Sequence, residues 1–320
     1  MCKSKCVGVV LMFLQPPSPT LSSMATASDL DTKKRVLCVG LVCLDIIKIV
    51  DSFPLEDTDQ RCIDCLWRRG GNAANTASVL SLLGAPTEFL GTLAKGPYLQ
   101  FLQTDCGQYG VSTDHCPLLE NTASPVSVVI LNSASGSRTI LHTNTNLREL
   151  TFEDFQRVPL ASGQYSWIHL EGRPNTGELQ KIVLYVEDHN ASCEESRPLM
   201  GHVDVVFISK EVAQSLRFTD CRSAVEALAA DCKQGGTVIC PWGDKGAAGK
   251  RKDGPVVVSP AFPPDVVMDT IGAGDTFNAA AIFALNTGKS LQDAVTFGCR
   301  VAGAKCGMMG NEGLRGMVFS

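Results

Sequence analysis

The sequence has no excess of positive charge: its formal net charge is −5 at pH 7. A chain without a basic face has no electrostatic footprint for nucleic acid. Any anionic ligand must then be held by local geometry rather than by long-range attraction. There is also no run approaching the roughly 20 apolar residues of a membrane-spanning helix, so neither nucleic acid nor a membrane is expected as a partner. The five histidines are dispersed and show no metal-ligand spacing, and there is no Gly-x-Ser-x-Gly elbow. Fourteen cysteines include a single Cys-x-x-Cys, Cys62-Ile-Asp-Cys65, with no second pair at zinc-finger spacing. Cys38 and Cys43 fall inside apolar, strand-like segments, which suits reduced thiols in a reducing compartment. The expected location is cytoplasmic.

What is present is a globular balance, 44% hydrophobic and 19% charged over 320 residues. That suits one large α/β domain with an attachment, or two smaller domains. The first residues, "MCKSKCVGVVLMFLQPPSPTLSS", carry two lysines and a short apolar run from Cys6 to Leu14. The pattern is close to a minimal signal peptide. However, the run is short, "QPPSPT" is not a typical cleavage site, and a second methionine, Met24, follows. Residues 1–34 are therefore expected to form a disordered leader outside the fold.

Order is expected to begin at "RVLCVGLVCLDII", Arg35 to Ile47, a near-continuous apolar run such as a strand buried on both faces would have, with Asp45 at its far end. "RCIDCLWRR" reads as an exposed strand, and "GGNAANTASVLSLLGAP" as a glycine turn, an amphipathic helix and a stop. "SPVSVVILNSASGSRTILHTN" holds two alternating segments around a hairpin-like turn. Strands and helices then alternate to the end of the chain. The pattern predicts an α/β fold with a mostly parallel central sheet covered by helices on both faces. Residues 35–47, 70–119 and 149–320 would build that domain. Residues 48–69 and 120–148 would form a small separate β-sheet, placed to act as a lid.

The most informative run is "DTIGAGDTFNAAA", Asp269 to Ala281. The amides at a helix start have no internal partners, and the aligned peptide dipoles make that end positive. Gly272, Ala273 and Gly274 remove side-chain bulk, so an anion could approach those amides closely. Asp275 could be an ordinary first-turn acid, but an N-cap does not call for Gly-Ala-Gly before it. A carboxylate beside an anion site points to phosphoryl transfer, with Asp275 taking the proton of an attacking hydroxyl. The helix dipole is expected to hold its pKa low. Nearby, "NTGKS" imitates the end of a P-loop, but Phe283 stands where the first glycine would be and a helix precedes it. Gly288 as a helix stop and Ser290 as a cap explain it better.

Two further stretches offer binding groups. In "RGGNAANTA", Gly71 lets the backbone approach a ligand while Asn72 and Asn75 offer donors and acceptors. They suit a polyhydroxylated substrate, and equally a turn and a cap. Asp45, at the carboxyl end of a buried strand, lies where open α/β sheets bind ligands. "PWGDKGAAG" places Gly243, Asp244, Lys245 and Gly246 in a loop that could contact a nucleotide through its backbone or be a plain hairpin.

Together, "GGNAANTASVLSLLGA" and "DTIGAGDTFNAA" resemble the two signatures of the PfkB (ribokinase-like) sugar kinases. "LCVGLVCLD", "WIHLEGR", "DVVFISK" and "FGCRVAGAKCG" are similar to the fructokinase branch of that family. The resemblance implies ATP-dependent phosphorylation of D-fructose at its 1-hydroxyl, with Mg2+ and with K+ as a further candidate cation. By motif, Asp275 would be the base and Gly272, Ala273 and Gly274 the anion hole. Asp45, Gly71, Asn72, Asn75 and Asp275 would hold the sugar. Arg138, Gly243, Asp244, Lys245 and Gly246 would join the Gly272–Gly274 turn in contacting ATP. The resemblance also implies a homodimer through the small sheet, with Asp57 reaching the partner's sugar site.

The chain departs from that pattern twice. The region matching the family's magnesium-organising Asn-x-x-Glu reads "SKEVA", so no ion ligand can be named. And only "NASCEESRPLMGH" separates His189 from Val203, where the family has a strand and most of a helix. One interior strand of the central sheet is expected to be missing. The rival expectations are a silent form that binds sugar or pairs with an active subunit, a kinase for another sugar or a nucleoside, and a nucleotide-binding regulator.

Overall fold

The structure, a computed structural model, describes residues 9–14, 34–160, 163–188 and 199–319. Among the described residues fifteen strands are formed. They are β1 (Val9–Leu14), β2 (Arg35–Val39), β3 (Cys43–Val50), β4 (Asp64–Gly70), β5 (Thr87–Leu90), β6 (Leu93–Ala94), β7 (Val111–Ser112) and β8 (Leu118–Leu119). After these come β9 (Val126–Asn132), β10 (Arg138–Thr143), β11 (Tyr165–Glu171), β12 (Val205–Ile208), β13 (Thr237–Pro241), β14 (Ala247–Arg251) and β15 (Val256–Ser259). The helices are α1 (Asn72–Leu82), α2 (Leu99–Gln108), α3 (Phe152–Phe155), α4 (Thr176–Asp188), α5 (Lys210–Ser215), α6 (Cys221–Leu228), α7 (Ala273–Asn286) and α8 (Leu291–Cys306).

Nine strands form the central sheet in the order β15-β14-β13-β12-β1-β11-β2-β5-β7. The strands β11-β2-β5-β7 pair in parallel, as do β12 and β13, and β14 and β15 continue the far edge antiparallel. Side chains alternate between faces with the period of two that a strand imposes. Val36 and Cys38 join a core with α1, α2, α7 and α8, while Leu37 and Val39 join a second core with α4 and α6. The same alternation carries Phe207 to the first core and Val206 and Ile208 to the second. The result is a three-layer α/β fold.

A separate four-stranded sheet runs β10-β9-β3-β4, with Ile47, Val129, Leu131 and Ile271 as its small core. It is the sheet expected from residues 48–69 and 120–148, but its strand β3 begins already at Cys43. The expected single strand from Arg35 to Ile47 is in fact two. The chain leaves the central sheet after Val39 and enters the small sheet at Cys43, so Asp45 belongs to β3 rather than to the end of a central strand. Collinear apolar strands of different sheets carry the same hydrophobic pattern, so the break has no periodic signature.

A second correction concerns the leader. Val9–Leu14 is a strand inside the central sheet, antiparallel to both β11 and β12. The other residues up to 33 lie outside the described ones. So does most of the shortened segment, residues 189–198. The position between β11 and β12 in the central sheet is taken by β1. At the other end of the chain, Ser290 caps α8 by accepting from the Asp293 amide, as the cap reading of "NTGKS" requires.

Candidate active site

The site gathers where α1 and α7 start. Gly71 follows the small sheet's β4 and opens α1 with φ +100°. A Cβ there would lie 2.2 Å from the Leu41 carbonyl oxygen, so only glycine can make the turn. Asn72 and Asn75 follow at once on α1. Gly272 opens α7 in the left-handed region, φ +73°, and no side chain caps the helix. The Ala273 amide donates to the Thr270 carbonyl at 3.3 Å, and the amides that follow it meet no capping side chain, in the geometry of an anion site. Ile271 is buried in the small sheet's core, which ties this turn to both sheets.

Asn75 joins the two helix starts. Its Nδ2 donates to Asp275 Oδ2 at 2.9 Å, and its Oδ1 accepts from Arg69 Nη1 at 3.2 Å. Arg69, itself buried, also donates to Asp105 at 2.6 Å and to Ser78 Oγ at 2.6 Å. Asn72 Nδ2 donates to Glu171 Oε1 at 3.1 Å, and the other Glu171 oxygen accepts from the backbone amides of Leu41 and Ala73. Arg173 completes this group, bridging Glu171 at 3.4 Å and Glu149 at 2.7 Å. Asp45 is buried beneath Gly70, where a Cβ would sit 2.3 Å from its Oδ2, and it accepts from the Cys43 thiol at 3.4 Å.

The electrostatics reverse one expectation. Asp275 is half-buried by surface, but crowding of its carboxyl raises its pKa to about 7. Donation from Asn75 lowers it, the nearby Glu171 raises it, and Arg138 and Arg69 lower it. Loss of water outweighs the helix dipole and the two cations. A carboxyl poised near neutrality is a better proton acceptor than the depressed one expected from its place on the helix. Burial likewise raises Asp45 and Glu171 above the usual carboxylate range.

Asp269, the first carboxylate of the run, does a different job. It is wholly buried, bonded to Arg68 at 2.8 Å and Lys305 at 3.0 Å, and accepts from the amides of Ile271 and Gly310. It fixes the turn from behind, between β4 and α8. Arg138, on β10, donates to Thr270 Oγ1 at 2.7 Å and so lies over the same turn. The structure therefore brings together Asp275, Gly272–Gly274, Asn75 and Arg138, with Gly71, Asn72 and Asp45 adjoining. Gly243–Lys245 form a short 3-10 turn between β13 and β14, closed by a hydrogen bond from the Trp242 amide to the Gly246 carbonyl. No hydrogen bond or ion pair among the described residues joins that turn to the Asp275 cluster. Asp57 is exposed in the small sheet's loop, with φ +61°.

Sequence reasoning missed Arg69, Glu171, Arg173, and the Arg68–Asp269–Lys305 group. Arg69 stands directly before the glycine pair, and Glu171 ends a largely buried strand. A charged residue closing a buried strand is the signal that could have found it.

A carboxyl at the entrance of a helix without a side-chain cap, on a three-layer α/β fold with a small attached sheet, is an arrangement suited to phosphate chemistry. The family model for pfkB family carbohydrate kinases matches residues 33–312, and the chain belongs to that family. It is a carbohydrate kinase, similar to the ketohexokinase of Mus musculus at 44% identity over 88% of this chain and 99% of that one. Among solved structures it is similar to adenosine kinase from Sinorhizobium meliloti, with a TM-score of 0.71, 21% identity, and 88% and 96% of the two chains covered. It is also similar to Arabidopsis thaliana ribokinase complexed with ribose and ATP, with a TM-score of 0.67, 20% identity, and 89% and 96% covered. No helix among the described residues is long and apolar enough to cross a membrane.

Proposed function

We propose that this chain transfers the γ-phosphoryl group of ATP to the 1-hydroxyl of D-fructose. The observation that carries the reading is Asp275, raised to about 7 and held by Asn75 beside the uncapped start of α7. The likeness to a ketohexokinase along nearly the whole of that protein supports the choice of substrate.

In this reading Asp45, Gly71, Asn72 and Asn75 hold the sugar, with Glu171 orienting Asn72. Asp275 takes the proton of the attacking hydroxyl while the new oxygen–phosphorus bond forms and the β,γ-bridging bond breaks, leaving ADP. The amides of the Gly272–Gly274 turn and Arg138 stabilise charge on the transferred group. Gly243, Asp244, Lys245 and Gly246 would contact the nucleotide. No three metal-ligating side chains converge among the described residues. Mg2+ would then be held largely by phosphates and water, as it commonly is, and supplies charge neutralisation when bound with ATP. The small sheet would serve as a lid and as the interface of a homodimer. Its strand β10 is exposed at every position, and Trp67, Ile140 and Leu141 present apolar surface there. The free thiols of the described cysteines support a cytoplasmic location.

The test is ADP release by the purified full chain with ATP, Mg2+ and D-fructose, beside the Asp275→Asn variant. Fructose-dependent turnover that the variant loses would establish the reading. Turnover with another ketose or a nucleoside only would overturn the substrate. No turnover from a folded chain would favour the silent form.

A further inference from the structure

The central sheet of this chain is completed from its N-terminus. Strand β1 pairs with β11 through five residues, Val10↔Glu171 to Leu14↔Trp167, and with β12 through four, Val9↔Ile208 to Met12↔Val205. Leu11 is centred in both ladders, opposite Leu170 and Val206, which are both fully buried. Without β1 the facing edges of β11 and β12 would be open in the middle of the sheet, one strand-width apart on each side. Buried backbone groups without partners are rarely tolerated, and open edges invite pairing with other chains.

The direction of β1 fits a strand recruited from outside the ordinary chain path. A parallel strand in that position would need a crossover connection. An antiparallel one needs only a return at the same end of the sheet. Leu14 lies opposite Trp167, and Arg35 lies opposite Tyr165, so both emerge at the start of β11 on its two sides. The gap is about two strand spacings, or roughly 10 Å, and residues 15–34 are ample to bridge it. "VVLMFL" is apolar throughout, the composition of a strand with a core on each face.

We propose that Val9–Leu14 is a donor strand, supplied in cis, that takes the place expected of a strand between α4 and β12. The completeness of the kinase sheet then depends on a segment outside the 33–312 match. The slot is also a specific receptor for an apolar peptide of this sequence. The proposal does not rest on the identity of the sugar.

The experiment follows amide hydrogen exchange by mass spectrometry in the full chain, its Leu11→Pro variant, and a chain of residues 24–320 with and without a synthetic peptide of residues 6–16. In the full chain the amides of 10–14 should exchange about a hundredfold or more slowly than in the free peptide. Leu11→Pro removes a ladder donor at the centre and should release protection in 10–14, 165–171 and 205–208 together, with a lower Tm. Peptide added to 24–320 during refolding should restore protection of β11 and β12. Free-peptide exchange rates for 10–14 in the folded full chain would overturn the proposal, whether or not the shortened chain folds. So would unchanged protection of β11 in Leu11→Pro. Protection of 10–14 that disappears on dilution would show that the strand comes from a second copy, overturning supply in cis.

Discussion

Asn75 Nδ2 and Asp275 Oδ2 meet at 2.9 Å although 200 residues separate them in the chain. The bond fixes which face of the carboxyl is free, and through Arg69 it reaches Ser78 on α1 and Asp105 on α2. Asn75→Ala should therefore act on positioning. The expected result is a fall in kcat larger than the rise in sugar KM, with the loss partly restored in Asn75→Gln, which keeps an amide donor, and not in Asn75→Asp, which sets a second carboxylate against Asp275. A change confined to KM would show that Asn75 only binds sugar.

Asp275 as the general base should make turnover pH-dependent. Since its carboxyl is raised to about 7, the active, ionised form accumulates only as pH rises through that value. kcat/KM should climb through an acid limb near pH 7 and level above it. Asp275→Asn should lose about 10²- to 10⁴-fold in kcat and lose the limb. A flat profile from pH 5.5 to 8.5 in the parent enzyme would remove Asp275 from the role.

The same residue has the opposite effect on stability. The folded-state pKa lies above the unfolded value, so the unfolded chain ionises first as pH rises. The folded state is penalised progressively from about pH 4 to about pH 7 and constantly beyond. Asp275→Asn should thus melt higher than the parent at pH 8, and the difference should shrink toward pH 4. Thermal melts across that range check the sign. Equal differences at both ends would mean that the carboxyl is not buried as a charge.

Much of this site was legible because it is written in local chemistry. Gly-Ala-Gly before Asp275, and the glycine pair before Asn72, are backbone requirements that sequence displays directly. What was not legible is tertiary. The raised pKa of Asp275 comes from burial and from Glu171 on β11, against the lowering pull of Asn75, Arg138 and Arg69, none adjacent to it in the chain. Glu171 and Arg69 each stand at or next to the end of a strand near other charged residues, with no period to mark them as buried. The split of Arg35–Ile47 between two sheets leaves the hydrophobic pattern unbroken. Val9–Leu14 read as part of a leader because its two partners begin more than 150 residues later, and pairing at that distance leaves no trace in the strand itself.

Lys305 and Asp269 form a buried pair in which the two members are pulled unequally. Two cations hold Asp269 below the usual carboxylate range, whereas burial draws Lys305 below its ordinary value, against the pull of Asp269 and with a smaller repulsion from Arg68. Removing one partner of a buried pair costs about 3–5 kcal/mol. Lys305→Met should approach that loss in urea unfolding, and the Gly272 turn should exchange its amides faster. A loss under about 1 kcal/mol would mean that Arg68 alone satisfies Asp269. In the parent, the Asp269 contribution is present above the unfolded pKa and disappears as pH falls below about 4.

Arg138 bonds Thr270 and lies near enough to Asp275 to lower its pKa. Its loss should therefore have two separable effects. If it stabilises the transferred phosphoryl group, Arg138→Ala should lower kcat and raise the KM for ATP while leaving sugar binding nearly intact. Independently, withdrawing a positive charge favours the protonated carboxyl, so the acid limb of the pH profile should move to higher pH. Arg138→Lys keeps the charge but not the planar fork. It should leave the limb near its parent position while recovering only part of kcat. A limb that stays in place in Arg138→Ala would show that the arginine's charge does not reach Asp275 in the working enzyme, and its role would reduce to holding Thr270.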